Sequence, residues 1–135
     1  MKNVFRNIAA VLIGLVIGSI VNSGIIDLSG NLVALPEDVD PNDIESIKAN
    51  IHLYDPIHFL FPFLAHTLGT LAGAIVATLI AVSHKLKLAM SIGFVFLLGG
   101  IAINVMLAGP IWFTILDLVL AYLPMAWLGR SLLKK

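Results

Sequence analysis

The sequence predicts an all-α integral membrane protein, a bundle of four transmembrane helices, and three observations lead to this prediction. Of the 135 residues, 59% are hydrophobic and 12% are charged, whereas about a quarter of the residues in soluble domains are charged. Four apolar segments are long enough to cross a bilayer core of about 30 Å. Charges are sorted: seven of eight acids lie between Asp27 and Asp55, and seven of eight bases lie in three clusters elsewhere.

The four apolar segments define the predicted spans of a single membrane domain that covers residues 1–135. Short turns join the second span to the third and the third to the fourth, so neighbouring spans are expected to form two antiparallel hairpins. The run that follows Lys2 and Arg6 is too long for an ordinary signal peptide, and we interpret it as a retained first span. The spans cover about residues 8–26, 57–83, 88–107 and 111–128, and an outer loop covers 27–56.

The positions of the bases predict the orientation, because lysine and arginine are enriched on the cytoplasmic side of membrane proteins. Both termini and the turn at His84 are therefore expected in the cytoplasm, in a bacterial-type inner membrane, and the acidic loop outside. Within that loop, Asp40 with Pro41 is a helix-start signal. Isoleucines then recur at helical spacing at positions 44, 47 and 51. This pattern predicts a short amphipathic helix at the outer mouth of the bundle.

Small residues indicate which helix faces pack together, since membrane helices associate through close contacts between small side chains. In the second span a stripe of them recurs every four residues, namely Ala65, Gly69, Gly73, Ala77 and Ala81. Gly14 and Gly18 form a similar pair in the first span, and they are compatible with packing inside the chain or with dimerisation. Pro62 and Pro124 lie inside spans, where proline commonly kinks a helix.

Asp117 is the one acid inside an apolar run, and it is the main candidate for a functional residue. A carboxylate within a membrane is costly unless it is paired, solvated or protonated. His66 is the expected partner, because it lies in the same half of the bundle at a comparable depth. We predict a polar pocket, open to the outside and closed to the cytoplasm, that binds a ligand or a proton. Its expected residues are Asp117, His66, Asn104, Asn22, Thr70 and Thr114.

Two other roles for polar residues were considered. The pair of His66 and Asp117 is also compatible with a purely structural hydrogen bond that fixes helix order. His52, Asp55 and His58 are weak candidates for metal ligands, but His58 and His66 lie about 12 Å apart along a helix. We therefore expect no metal and no cofactor. The sequence also contains no nucleophile motif or nucleotide-binding fingerprint, and we expect no catalytic residue.

Three classes of function remain open. The preferred one is a small membrane protein that binds or transports a small solute or a proton in the polar pocket. The first alternative is a non-enzymatic subunit or scaffold of a larger membrane complex, and the second is an intramembrane enzyme that acts on a lipid. Expected partners are the lipid bilayer and either further copies of the chain or a larger membrane complex. Nucleic acid is not expected, because the bases flank spans and form no basic patch.

Overall fold

A computed structural model describes residues 1–134, and over that range the chain is helical and has no strand. Four helical stretches are long and apolar enough to cross a membrane, which agrees with the predicted membrane class. The last of them is divided into two helices. The helices are α1 (Lys2–Leu32), α2 (Ile44–Asn50), which a short 3-10 turn (Ile51–Leu53) follows, α3 (Ile57–Ile80), α4 (Lys85–Leu107), α5 (Ile111–Leu120) and α6 (Leu123–Ser131).

Helix α3 lies at the centre of the bundle, where it packs against α1, α4, α5 and α6. Its closest contact is with α1 and depends on glycines from both helices. A Cβ atom added to Gly73 would lie 2.7 Å from the carbonyl oxygen of Gly14, and one added to Gly69 would lie 2.8 Å from that of Gly18. Of the two roles considered for Gly14 and Gly18, the structure therefore shows packing inside the chain.

At one end of the bundle, the start of α1 supplies hydrogen bonds to the end of α3. The Arg6 Nε group donates to the carbonyl oxygen of Ile80 (2.8 Å). The Asn7 side chain donates to Ser83 Oγ (2.9 Å) and accepts from the Val82 N–H (3.1 Å). These bonds stabilise the helix end, because terminal backbone groups have no partner within their own helix. We call this end, which carries residues 82–87, Arg130 and Lys134, the basic end.

The opposite end carries residues 27–56, and we call it the acidic end. It differs from the prediction in two ways. Helix α1 continues to Leu32, beyond the expected boundary at Ile26. The predicted helix start at Asp40 is wrong, because α2 begins at Ile44 with Asp43 as its N-cap. Asp40 instead accepts a hydrogen bond from the Asn42 N–H (2.9 Å), which closes a local turn around Pro41 before the helix starts.

The fourth apolar stretch is interrupted between α5 and α6, at Ala121 and Tyr122. Pro124 is the second residue of α6, a position where its missing N–H costs little. The predicted kink at Pro124 is thus a break that lies just before it. Pro62, in contrast, lies inside the continuous helix α3. The break matters for the site because both of its residues are buried in the bundle.

Candidate functional site

Asp117 lies near the middle of the fourth stretch and is fully buried, with 0% of its surface exposed. Its Oδ1 atom lies 2.7 Å from Nδ1 of His66. Its Oδ2 atom accepts hydrogen bonds from Asn104 Nδ2 (3.0 Å) and from the Tyr122 hydroxyl (3.1 Å). Three partners of this kind compensate the carboxylate for the loss of water. Because an ionised carboxylate only accepts, Nδ1 of His66 is the donor in this pair.

A second set of hydrogen bonds fixes Asn104. Its Nδ2 atom also donates to the carbonyl oxygen of Gly100 (2.9 Å), and its Oδ1 atom accepts from the Thr114 hydroxyl (3.2 Å). We call the connected side chains the Asp117 network: Asp117, His66, Asn104, Thr114 and Tyr122. Four of the six residues predicted for the site are therefore joined directly, whereas Asn22 and Thr70 line the adjacent cavities instead.

Tyr122 belongs to the network although the sequence analysis did not identify it. In a continuous helix, residues five positions apart point about 140° away from each other. The break between α5 and α6 turns Tyr122 back toward Asp117, and its ring also lies beside that of His66, with centroids 5.6 Å apart. Gly100 provides the space, because a Cβ atom there would overlap the tyrosine hydroxyl. One sequence feature points to this position: Tyr122 is a polar aromatic residue in an apolar run, two residues before the helix-breaking Pro124.

Two cavities flank His66. The vestibule, about 380 Å³ in volume, lies beneath the acidic end, and most of its lining is apolar or aromatic, including Phe59 and Phe113. The inner chamber, about 310 Å³, lies between α1, α3 and α4. Asn22, His66 and Ile103 line both cavities. These three residues therefore lie where the vestibule and the inner chamber meet.

His66 is the accessible member of its pair with Asp117. Its side chain is 18% exposed, whereas Asp117 is fully buried and lines neither cavity. The structure thus differs from the predicted pocket in one respect. A ligand in either cavity would contact the imidazole of His66, and the carboxylate of Asp117 lies behind it. With Nδ1 directed to Asp117, the Nε2 atom of His66 is the ring nitrogen that remains for a proton or a ligand.

Thr70 lies one helical turn from His66 and lines the inner chamber. It is only 1% exposed, and its hydroxyl has no hydrogen-bond partner within residues 1–134. The nearby Thr67 shows the usual arrangement, since its hydroxyl donates to backbone carbonyls at Phe63 and Leu64. The inner chamber therefore contains a buried polar group that its own helix does not satisfy.

The weak candidates for metal ligands lie at the acidic end. Nδ1 of His58 accepts from the Asp55 N–H (2.8 Å), so Nε2 donates to the carbonyl oxygen of Ala34 (3.0 Å). Both ring nitrogens thus bind the backbone. No group of three or more histidine, aspartate or glutamate side chains that could hold a metal occurs in the part of the chain that the structure describes. Beside His58, burial raises the pKa of Tyr54, which keeps this vestibule residue neutral.

The arrangement can exchange a proton or accept a hydrogen bond at one atom, Nε2 of His66. The carboxylate behind it holds the tautomer, as carboxylates do for histidines that act as bases. A nucleophile beside Nε2 would be needed for covalent chemistry, and no serine is part of the Asp117 network. No protein-family model, curated protein or solved structure matches the chain.

Proposed function

We propose that the protein binds, and carries across the membrane, a small solute or a proton at His66, with Asp117 as the counter-charge. The observation that supports this proposal is the contact of 2.7 Å between His66 Nδ1 and Asp117 Oδ1 at the wall of two cavities. Ionisable side chains inside membrane segments are expensive, and they commonly mark ion or substrate pathways. If the hydrogen bond between His66 and Asp117 served only to fix helix order, it would need no cavity beside His66.

The proposal includes a membrane orientation. The contacts that join Arg6 to Ile80, Gly14 to Gly73 and Gly18 to Gly69 support an antiparallel pairing of α1 with α3. The basic end is placed in the cytoplasm, with both termini, and the acidic end faces outward. In this frame α2 and its neighbours cover the vestibule, and the cavities open toward the outside of a bacterial-type inner membrane.

The charge of the pair suggests how binding works. With neutral His66 the Asp117 network carries one net negative charge, and with protonated His66 it carries none. A buried net charge is unfavourable in a low-dielectric environment. A proton or a cation at Nε2 therefore neutralises the site, and its release restores the charge. Such a two-state site suits a carrier better than a fixed structural hydrogen bond does.

Two conservative variants test the site. Asparagine at position 66 keeps a donor toward Asp117 but removes Nε2, so His66→Asn preserves a structural contact and abolishes a binding atom. In Asp117→Asn, the new amide donates to His66 Nδ1 and moves the imidazole proton to Nε2. With nanodisc-embedded protein and ¹⁵N NMR of the imidazoles, we expect the signals of His66 to report the uptake of a proton at Nε2. We expect Asp117→Asn to suppress this uptake.

The control is His52→Asn, which changes a histidine outside the spans. It should leave the response of His66 to pH unchanged. A His66 signal that does not respond to pH would contradict the proposal, since an imidazole that cannot exchange a proton with water is not an accessible site. In His66→Asn the imidazole signal assigned to proton uptake should be missing. A pH response of the imidazole signals equal to that of the wild type would contradict the proposal as well.

The scaffold alternative was based on stripes of small residues that a partner could contact. Gly14, Gly18, Gly69 and Gly73 already pack against each other within the chain. We therefore place the scaffold second, and we keep assembly with further copies as a prediction. The enzyme alternative receives no support from a specific contact, and it is not proposed further.

A further inference from the structure

The two cavities provide an uncharged lining in front of a buried negative charge. Among the described residues that line them there is no aspartate, glutamate, lysine or arginine. The Asp117 carboxylate behind His66 is the one formal charge of the Asp117 network. Its partner from α4, Asn104, is not ionisable, and neither is Thr114 from α5, which donates to Asn104. The site therefore lacks one positive charge whenever His66 is neutral.

Hydrogen-bond acceptors in the inner chamber can supply partners for N–H groups. With Nδ1 bound to Asp117, neutral His66 presents Nε2 as an acceptor. The unpartnered hydroxyl of Thr70 lies on the same helix four residues further on, so the two residues share a face. An ammonium group carries several N–H donors and one positive charge, and it satisfies both requirements.

The vestibule can receive an apolar group. Tyr54, Phe59, Phe61 and Phe113 line it. The ring centroids of Phe59 and Phe113 lie 4.9 Å apart, and those of Tyr54 and Phe59 lie 5.9 Å apart. Its volume of about 380 Å³ lies within the range of small-molecule sites. Aromatic faces also attract cations. The cavity thus fits an aliphatic or aromatic body better than a hydrated inorganic ion.

The acidic end favours the approach of cations. The segment from Asp27 to Asp55 holds seven acids and a single base, Lys48. A concentration of one sign of charge beside a cavity raises the local concentration of oppositely charged ligands. Anions are disfavoured at the same entrance, although the protein as a whole has a net charge of zero.

We propose that the site binds an amphiphilic organic amine, whose ammonium group donates to His66 Nε2 and Thr70 Oγ1 while its apolar body occupies the vestibule. This inference rests on the proposed function and names its ligand class. Amine and proton compete for the same charge deficit. When the amine binds to a protein with protonated His66, the imidazolium loses its Nε2 proton to water, and the ammonium takes its place.

The competition predicts a direction for the pH dependence. Binding weakens as the pH falls, because protonated His66 offers no acceptor and leaves no net negative charge. The titratable groups that face His66 are Asp117 and Tyr122, both from the fourth stretch. From α1 it faces Asn22, and from α4 Ile103, which do not titrate. His58, on α3 itself, also lines the vestibule, but its nitrogens bind the backbone.

Three probes of similar size and different charge test the ligand class: benzylamine, benzyl alcohol and benzoate. Binding to the full chain in nanodiscs is followed by the ¹⁵N and ¹H signals of His66. We expect benzylamine to bind at least about tenfold more tightly than either other probe, and to bind more weakly as the pH falls. Thr70→Val should weaken benzylamine binding by about tenfold, the effect of one lost hydrogen bond.

Thr78→Val is the matched control. Thr78 is also 1% exposed with an unpartnered hydroxyl, but it lines neither cavity. The control should bind benzylamine as the wild type does. Equal binding of benzylamine and benzyl alcohol, or tighter binding of benzoate, would overturn the amine while leaving a ligand site at His66. If no probe affects His66 and its signals do not respond to pH, the amine and the proposed function both fail.

Discussion

Asp117 has little freedom to change its contacts, because both of its carboxylate oxygens already accept hydrogen bonds. One partner comes from α3, one from α4 and one from the break that follows α5. Of these, His66 is the one with a second ring nitrogen that can accept a proton or a ligand. The carboxylate is thus a fixed charge, and the imidazole is the variable part of the site.

The phenol of Tyr122 can be tested separately from the binding function. In Tyr122→Phe, Asp117 keeps His66 and Asn104 but loses one donor. We expect the free energy of unfolding to fall by about 1–2 kcal/mol, the range for a hydrogen bond to a charged group in a membrane protein. Unfolding by denaturant in mixed micelles measures this change. Tyr54→Phe removes the same atom from the only other tyrosine, and a loss of stability as large as that of Tyr122→Phe would contradict the prediction.

The sequence predicted most of the Asp117 network because depth along a helix can be counted from a span boundary. His66 and Asn104 were expected near Asp117 on that basis, and Thr114 because it shares a helix face with Asp117. His66 and Asn104 contact Asp117 directly, and Thr114 is joined to it through Asn104. Tyr122 was not expected, since its direction depends on a break and not on helical periodicity. The burial of Asp117 behind His66 was not expected either, because it depends on how the side chains of three helices pack.

At the scale of elements, the contact between α1 and α3 is the closest helix pair of the fold. The carbonyl oxygens of glycines in one helix lie too close to the glycines of the other helix for a Cβ atom to fit there. Backbone oxygen atoms cannot rotate away as a flexible side chain can. The distance between the two helices therefore depends on the absence of Cβ atoms at these glycines.

The glycine contact predicts that alanine lowers the unfolding free energy at a contact glycine but not at a glycine outside the contact. In Gly73→Ala, the new methyl group would meet the Gly14 carbonyl oxygen and Ile92, so α1 must shift. We expect a loss of about 1–3 kcal/mol in unfolding free energy, as for other overpacked positions. Gly24→Ala on α1 is the control, because nothing lies within 4 Å of the position of its Cβ. Equal stability of the two variants in the same unfolding assay would show that the contact is not close.

The helices themselves were largely predictable, because long apolar stretches and a stripe of small residues reflect burial against lipid and protein. Their ends were less so. The sequence signal placed the start of α2 at Asp40, but Asp43 caps the helix and Asp40 forms a turn before it. At the division between α5 and α6, Tyr122 packs against Gly100 of α4, a contact that helical periodicity does not predict.

At the scale of the whole molecule, the two ends carry opposite charges. The basic end combines lysines 85 and 87 with Arg130 and Lys134 around one surface depression. The acidic end carries the loop that covers the vestibule. The orientation proposed above places this asymmetry across the membrane, with the entrance to the cavities on the outer side.

Single cysteines test this orientation, because the native chain contains none and gives no background. Asn42→Cys lies at the acidic end and Leu132→Cys just after α6, and both positions are exposed. In cells or right-side-out vesicles, a maleimide that cannot cross the membrane should label position 42 and leave position 132 unlabelled until the membrane is opened. The reverse pattern would invert the proposed topology, and labelling of both would exclude a common side for the two termini.

The order of the Asp117 network along the chain has a consequence for biosynthesis. Synthesis from the N-terminus produces His66 and Asn104 before Asp117. When the fourth stretch enters the bilayer, two of the three hydrogen-bond donors for its carboxylate are already in place, and the third, Tyr122, follows five residues later on the same stretch. An acid in the first stretch would have waited in lipid without partners, at a cost of several kcal/mol. Two of the three partners of the buried charge are thus present before Asp117 itself is synthesised.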